Sequence, residues 1–127
     1  MKKVCLTLVF GAFVLALGLS SASALPPFDK EWKAKYLPDS APASLKDAAG
    51  TAKCNVCHEG TSKKMRNAYG KAVGKYLTKA DFEAVKADPE KSKKYIVEGL
   101  EKAEAEKSAS GKSFGELIKA GKGPWEG

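Results

Sequence analysis

The sequence predicts a small all-α domain. Apolar residues recur at helical spacing along most of the chain, and capping and restart signals punctuate those stretches. Valine and isoleucine are scattered, with no run of four or more that alternates cleanly as a strand would. The 127 residues divide in two. Lys2 and Lys3 make a short basic start, an apolar stretch covers residues 4–19, and Ala22-Ser23-Ala24 has the small-x-small cleavage pattern. Residues 1–24 therefore read as a secretory signal peptide and residues 25–127 as one exported domain. A membrane anchor would want a longer apolar run followed by a charged stop, so no stable span is expected after cleavage.

The elements follow in order. Pro26-Pro27 starts the mature chain as an extended arm. Phe28, Trp32 and Tyr36 recur every four residues, with Leu37 beside them, on one face of a short helix. Residues 38–42 form a turn. Residues 44–56 read as a helix with Leu45, Ala48 and Ala49 inward and a break at Gly50. Glu59-Gly60 turns the chain, and Asn67 caps a helix running through Leu77 whose stripe is Tyr69, Ala72, Val73, Tyr76 and Leu77. Gly70 and Gly74, four apart, suggest close approach to the flat face of a bound group or to another helix, with glycine on a helix surface as an equally plain reading.

Thr78 and Asp81 have capping-box spacing, with Phe82 and Val85 facing inward behind them. Asp88-Pro89 restarts the chain as its longest helix, to about Lys107, with Tyr95, Ile96, Val97, Leu100 and Ala103 as the inner face. Glu90 with Lys94, and Glu98 with Lys102, are i,i+4 pairs worth about 0.3 kcal/mol each. Ser108-Ala109-Ser110-Gly111 breaks that helix, and Ser113 with Glu116 boxes a last short one holding Phe114, Leu117 and Ile118. Gly121-Lys122-Gly123-Pro124 ends it, leaving Trp125 to dock on the body or on a partner.

Lysine and arginine number 22 against 15 acidic residues, and loss of Lys2 and Lys3 with the signal leaves a smaller positive excess. The mature domain is too short for a large enzyme with its own deep cleft. Cys5 falls in the signal, so two mature cysteines remain, too few for a disulfide scaffold. Those two stand in Cys54-Asn55-Val56-Cys57-His58, and His58 is the sole histidine.

Cys-x-x-Cys-His is the attachment pattern of a c-type haem. Two thiols add across the vinyl groups of one porphyrin edge to form thioethers. The two intervening residues let the backbone curl so that both sulfurs reach that edge. The histidine that follows comes beneath the ring as proximal iron ligand. Haem c held by Cys54 and Cys57, with His58 on the iron, is therefore the expected cofactor. A thioredoxin-like pair would want a βαβ setting, a structural zinc site would want four ligands, and a small disulfide loop is the remaining alternative.

With its signal and size, the chain resembles a small monohaem cytochrome c. The stretch from Cys54 to Leu77, with Lys63-Lys64 and Arg66-Asn67-Ala68-Tyr69-Gly70, resembles small exported haem proteins of planctomycete bacteria. The resemblance implies a cytochrome c-like helical domain wrapped around one covalently attached haem, working in the periplasm or extracytoplasmic space. The chain departs from the usual class I pattern, in which a distant methionine supplies the second axial ligand. Its last methionine is Met65, seven residues beyond His58. Met65 is the candidate second ligand, with core filling as its bland role. Lys63, Lys64 or Lys71, tyrosinate from Tyr69, Tyr76 or Tyr95, water, an open position or a partner's ligand are the alternatives.

The expected function is one-electron transfer without catalysis. The alternative is binding of nitric oxide or carbon monoxide at an open or labile distal site, or service as the haem subunit of a complex. Lys63, Lys64, Arg66, Lys71, Lys75 and Lys79 would steer an acidic redox partner, with a solubilising surface as the plain reading. Homo- or hetero-oligomers fit the sequence equally, and nothing in it marks a nucleic-acid binder. Trp32 is expected to pack in the core, with contact to the haem edge as the sharper alternative.

Overall fold

Pro26 and Pro27 lie in the first turn of a helix, α1 (Pro26–Tyr36), and not in an extended arm. The missing proline N–H would have been unsatisfied in a first turn anyway, and the fixed φ suits the helix. The computed structural model describes residues 25–127, so the expected signal peptide lies outside the described residues. After a loop comes α2 (Ala43–Ala52), which passes through Gly50 unbroken and buries Leu45 and Ala49. A 3₁₀ turn over Lys53–Val56 continues the chain into the Cys-x-x-Cys-His segment.

The sequence carries no strand signal, yet a small hairpin forms there. Strands β1 (His58–Glu59) and β2 (Ser62–Arg66) pair antiparallel, with Glu59 opposite Ser62 and His58 opposite Arg66. Most of β2 is exposed, so no alternation marks it. Its register comes instead from the two-residue loop Gly60-Thr61. Gly60 sits at φ +64°, a left-handed conformation that glycine adopts without steric cost.

Helix α3 (Ala68–Tyr76) follows, capped by Asn67, and then α4 (Lys79–Val85), capped by Thr78. The Thr78 box is half formed. Its hydroxyl accepts from Asp81 N–H, but its own N–H donates to the Tyr95 hydroxyl at 2.9 Å. Asp88 accepts from two N–H groups at the start of α5 (Pro89–Glu104). This longest helix stops three residues before the expected Lys107. The chain folds back there, with Phe114 N–H donating to Glu106 O and Ser108 N–H to Lys112 O. Ser113 and Glu116 make a full capping box on α6 (Phe114–Lys119), and a 3₁₀ turn over Pro124–Glu126 closes the chain.

The described residues are thus mostly helical, as expected, with six α-helices and one two-stranded sheet. Helix α5 is the hub, and α1, α3, α4 and α6 all pack against it. The largest fully buried side chains among the described residues are Tyr69, Phe114, Leu45, Ile96, Leu100 and Pro124. Each such hydrophobe contributes about 1.5–3 kcal/mol relative to exposure. Trp125 docks on the body, its ring 6.4 Å from that of Trp32. Neither expected ion pair of α5 forms, because Lys94 turns to Glu98 at 3.8 Å. No helix among the described residues is long and apolar enough to cross a membrane.

Candidate functional site

The Cys-x-x-Cys-His segment is built by the turn out of α2. Lys53 sits at φ +49°, the only non-glycine residue with positive φ among those described. A side chain in that region costs on the order of 1–3 kcal/mol, and it swings the chain from α2 toward Cys54. Nothing in the sequence signals this, since the position is lysine and not glycine.

Asn67 clamps the far side of the segment. Its Oδ1 accepts from Gly70 N–H at 2.8 Å as the cap of α3. Its Nδ2 donates to Asn55 O at 2.8 Å and to Val56 O at 3.0 Å, and its backbone N–H donates to Cys57 O at 3.1 Å. One residue thus ties the motif's carbonyls to a helix start. Gly70 lets α3 press against this backbone, because a Cβ there would collide with Cys57 O. The close approach at Gly70 is thus to the backbone of the motif, which the sequence reading did not name.

His58 is buried. Its Nδ1 is 3.2 Å from Met65 O across the hairpin. The carbonyl can only accept, so this bond takes a ring proton on Nδ1, and in the neutral tautomer it leaves Nε2 as the nitrogen with the lone pair. Metal-binding histidines are typically oriented by such a bond.

Cys54, Cys57 and His58 line one cavity of about 300 Å³ that opens to solvent. Phe28, Trp32, Val56, Val73, Leu77 and Leu100 make its apolar wall. Trp32 packs in the core, the plainer of the two roles weighed for it. It is 4 % exposed in the core, donates its Nε1–H to Tyr69 OH at 2.9 Å, and also lines the cavity.

Burial pushes the Cys57 thiol up to about 12, against a smaller opposing pull from Arg66. A thioredoxin-type nucleophile needs the opposite shift. The two cysteines are unbridged. No group of three or more His, Cys, Asp or Glu side chains gathers to hold a metal ion among the described residues. Two thiols and one imidazole with a free nitrogen, on an apolar cavity, fit a haem joined at Cys54 and Cys57.

Met65 is placed apart from these three. It lies on β2, 57 % exposed, and does not line the cavity. Strand alternation explains this, since a residue next to the inward Arg66 points the other way. Lys63, Lys64 and Lys71 are exposed and also outside it. Tyr69, Tyr76 and Tyr95 give their hydroxyls to Trp32, Glu106 and Thr78 contacts. Burial drives the Tyr69 phenol above its ordinary value. The cations that do line the cavity are Lys53, Arg66 and Lys79. Its one carboxylate, Asp29, is held 2.7 Å from Lys33. Lys75, expected in the basic ring, instead pairs with Glu106 at 2.7 Å.

No protein-family model, curated protein or solved structure matches the chain.

Proposed function

We propose that the chain is an exported monohaem c-type protein that carries one electron, a small cytochrome c working outside the cytoplasm. The observation that carries this reading is the convergence of Cys54, Cys57 and His58 on one apolar cavity. Cys54 and Cys57 would hold the haem, and His58 Nε2 would bind its iron. When bound, the haem supplies a reversible one-electron couple between ferric and ferrous iron. The residues of the chain do the rest. Met65 O holds the imidazole at Nδ1 and raises its basicity as a ligand. Phe28, Trp32, Val73, Leu77 and Leu100 exclude water, which favours the less charged ferrous state. Lys53, Arg66 and Lys79 make the cavity's rim positive, which favours docking of an acidic redox partner. In this reading no placed acid or base serves catalysis.

The exposure of Met65 favours a second reading. None of the residues lining the cavity beyond the motif offers a thioether, thiol or imidazole. A second axial position without such a ligand suits a neutral diatomic such as nitric oxide or carbon monoxide.

The test uses the mature protein produced with haem attachment. Intact mass reports the covalent haem, voltammetry the electron couple, and ferrous spectra with and without carbon monoxide the distal site. A haem adduct with a reversible wave and no carbon monoxide response supports the carrier. An immediate spectral shift with carbon monoxide transfers the assignment to the small-ligand reading. Protein that folds without a haem adduct in cells that load other c-type proteins would sink both.

A further inference from the structure

We propose that Tyr36 is a site of one-electron oxidation, reached through the rings of Trp125 and Trp32, with Glu104 as the base that takes its proton. Only the chain's own aromatic core is involved, independent of the haem reading.

Trp125, Trp32 and Tyr36 run in sequence from the surface into the core. Trp125 is half-buried, its ring centroid 6.4 Å from that of Trp32. Trp32 is buried, lines the cavity, and has its ring 5.4 Å from that of Tyr36. Both separations are those of packed aromatic pairs, so an electron passes along the rings without a mobile carrier.

The rings differ in what can take a proton from them. Trp32 donates its Nε1–H to Tyr69 OH at 2.9 Å, and a phenol is a poor base. Tyr36 donates its O–H to Glu104 Oε2 at 2.7 Å. Leu100 O, at 3.4 Å from the same hydroxyl, can accept a hydrogen bond but not keep a proton. Glu104 is half-buried and has no ion pair among the described residues, so its carboxylate is free to act as a base. Burial holds the Tyr36 phenol well above its ordinary value, which disfavours losing the proton first. Lys35 Nζ lies 5.4 Å from the ring centroid, which disfavours a cation on the ring once the electron has gone. Electron and proton therefore leave Tyr36 together. Tyr76 has a similar bond to Glu106 at 2.7 Å. Glu106 is already paired with Lys75, and Tyr76 makes no aromatic pair among the described residues.

The oxidant is, by class, an organic peroxyl radical. It takes one electron through the two indoles and one proton from solvent, and becomes a hydroperoxide. The electron comes from Tyr36, whose O–H bond breaks as its proton moves onto Glu104 Oε2. A neutral tyrosyl radical and a protonated Glu104 remain.

Flash photolysis with tris(bipyridine)ruthenium and a cobalt(III) ammine acceptor supplies a one-electron oxidant to the purified mature protein, with any attached haem kept ferric. Transient absorption and electron paramagnetic resonance separate tyrosyl from tryptophanyl radicals. The wild type should give a tyrosyl signal. Tyr36→Phe should leave the radical on tryptophan, and Tyr76→Phe should leave the wild-type signal unchanged. Glu104→Gln keeps a hydrogen-bond acceptor but cannot take the proton, so tyrosyl formation should slow by about 100-fold, the scale of a placed general base. Trp32→Phe keeps a ring but removes the indole, and should also slow it. A tyrosyl signal that persists in Tyr36→Phe overturns the proposal, as does an unchanged rate in Glu104→Gln or Trp32→Phe. A wild-type radical confined to tryptophan overturns it equally. Should Tyr36→Phe fail to accumulate, a tyrosyl signal slowed in Glu104→Gln and lost in Tyr76→Phe would assign the site to Tyr76 and refute Tyr36, whereas one slowed in Glu104→Gln and kept in Tyr76→Phe supports it. Intact mass of the same samples reads haem attachment separately, so either reading can fail without the other.

Discussion

Replacing Asn67 with alanine should be among the most damaging changes to the site that spare its ligands. At stake are the cap to Gly70 N–H and the Nδ2 bonds to Asn55 O and Val56 O, with His58 O at 3.4 Å sharing the same two amide hydrogens. Losing an asparagine cap costs about 1 kcal/mol. Each lost amide bond adds about 1 kcal/mol, less at exposed Asn55, where water can substitute, than at buried Val56. The total is about 2–3 kcal/mol, which for a domain of this size lowers Tm by about 10–20 °C. The assay is thermal unfolding of the haem-loaded protein followed by far-ultraviolet circular dichroism. Asn67→Ser keeps a capping acceptor and loses the amide donors, so it should fall between alanine and wild type. An alanine variant within about 0.5 kcal/mol of wild type would refute the clamp, since that is the range of an ordinary surface change.

Four other outcomes follow from the same structure. Gly70→Ala should destabilise by about 2 kcal/mol or more despite the better helix propensity of alanine, because its Cβ meets the Cys57 carbonyl, which is backbone and cannot rotate away; chemical denaturation reads this. Lys53→Gly should raise stability by about 1 kcal/mol by relieving the positive φ, and an unchanged midpoint would contradict strain at that turn. In the proposed haem form, Met65→Ala should leave the ferric absorption spectrum unchanged, because only the backbone carbonyl of Met65 faces His58; loss of a sulfur–iron charge-transfer band in the variant would place the thioether on the iron. Bonds from Lys75 and then Tyr76 hold the Glu106 carboxyl below its ordinary 4.5. Its stabilisation is present above that value and is lost as pH falls through the lower folded one, so Glu106→Gln should flatten the acid limb of a Tm-against-pH curve.

Much of the scaffold was legible because it depends on local chemistry. Asn67, Asp88 and Ser113 each accept from N–H groups two or three residues on, so their caps can be read from spacing alone. The Phe28, Trp32, Tyr36 face and the α5 stripe follow from helical periodicity in the same way. The hairpin was not legible, because β2 is mostly exposed and leaves no apolar pattern. The end of α5 was missed because backbone bonds from Ser108 and Phe114 compete with the helix across several residues.

The chain's own order of residues determined the donor set. Two thiols and the sole histidine within five residues limit the chemistry before any folding is considered. What surrounds that set was decided by tertiary structure. The hairpin register turns Met65 outward while its carbonyl faces His58, and it sends Arg66 inward over Gly74. Neighbours in a strand point to opposite faces, so a one-residue difference in register would exchange the two side chains. Proximity along the chain made Met65 a candidate ligand, and only the pairing of β1 with β2 decides which of the two side chains reaches the cavity.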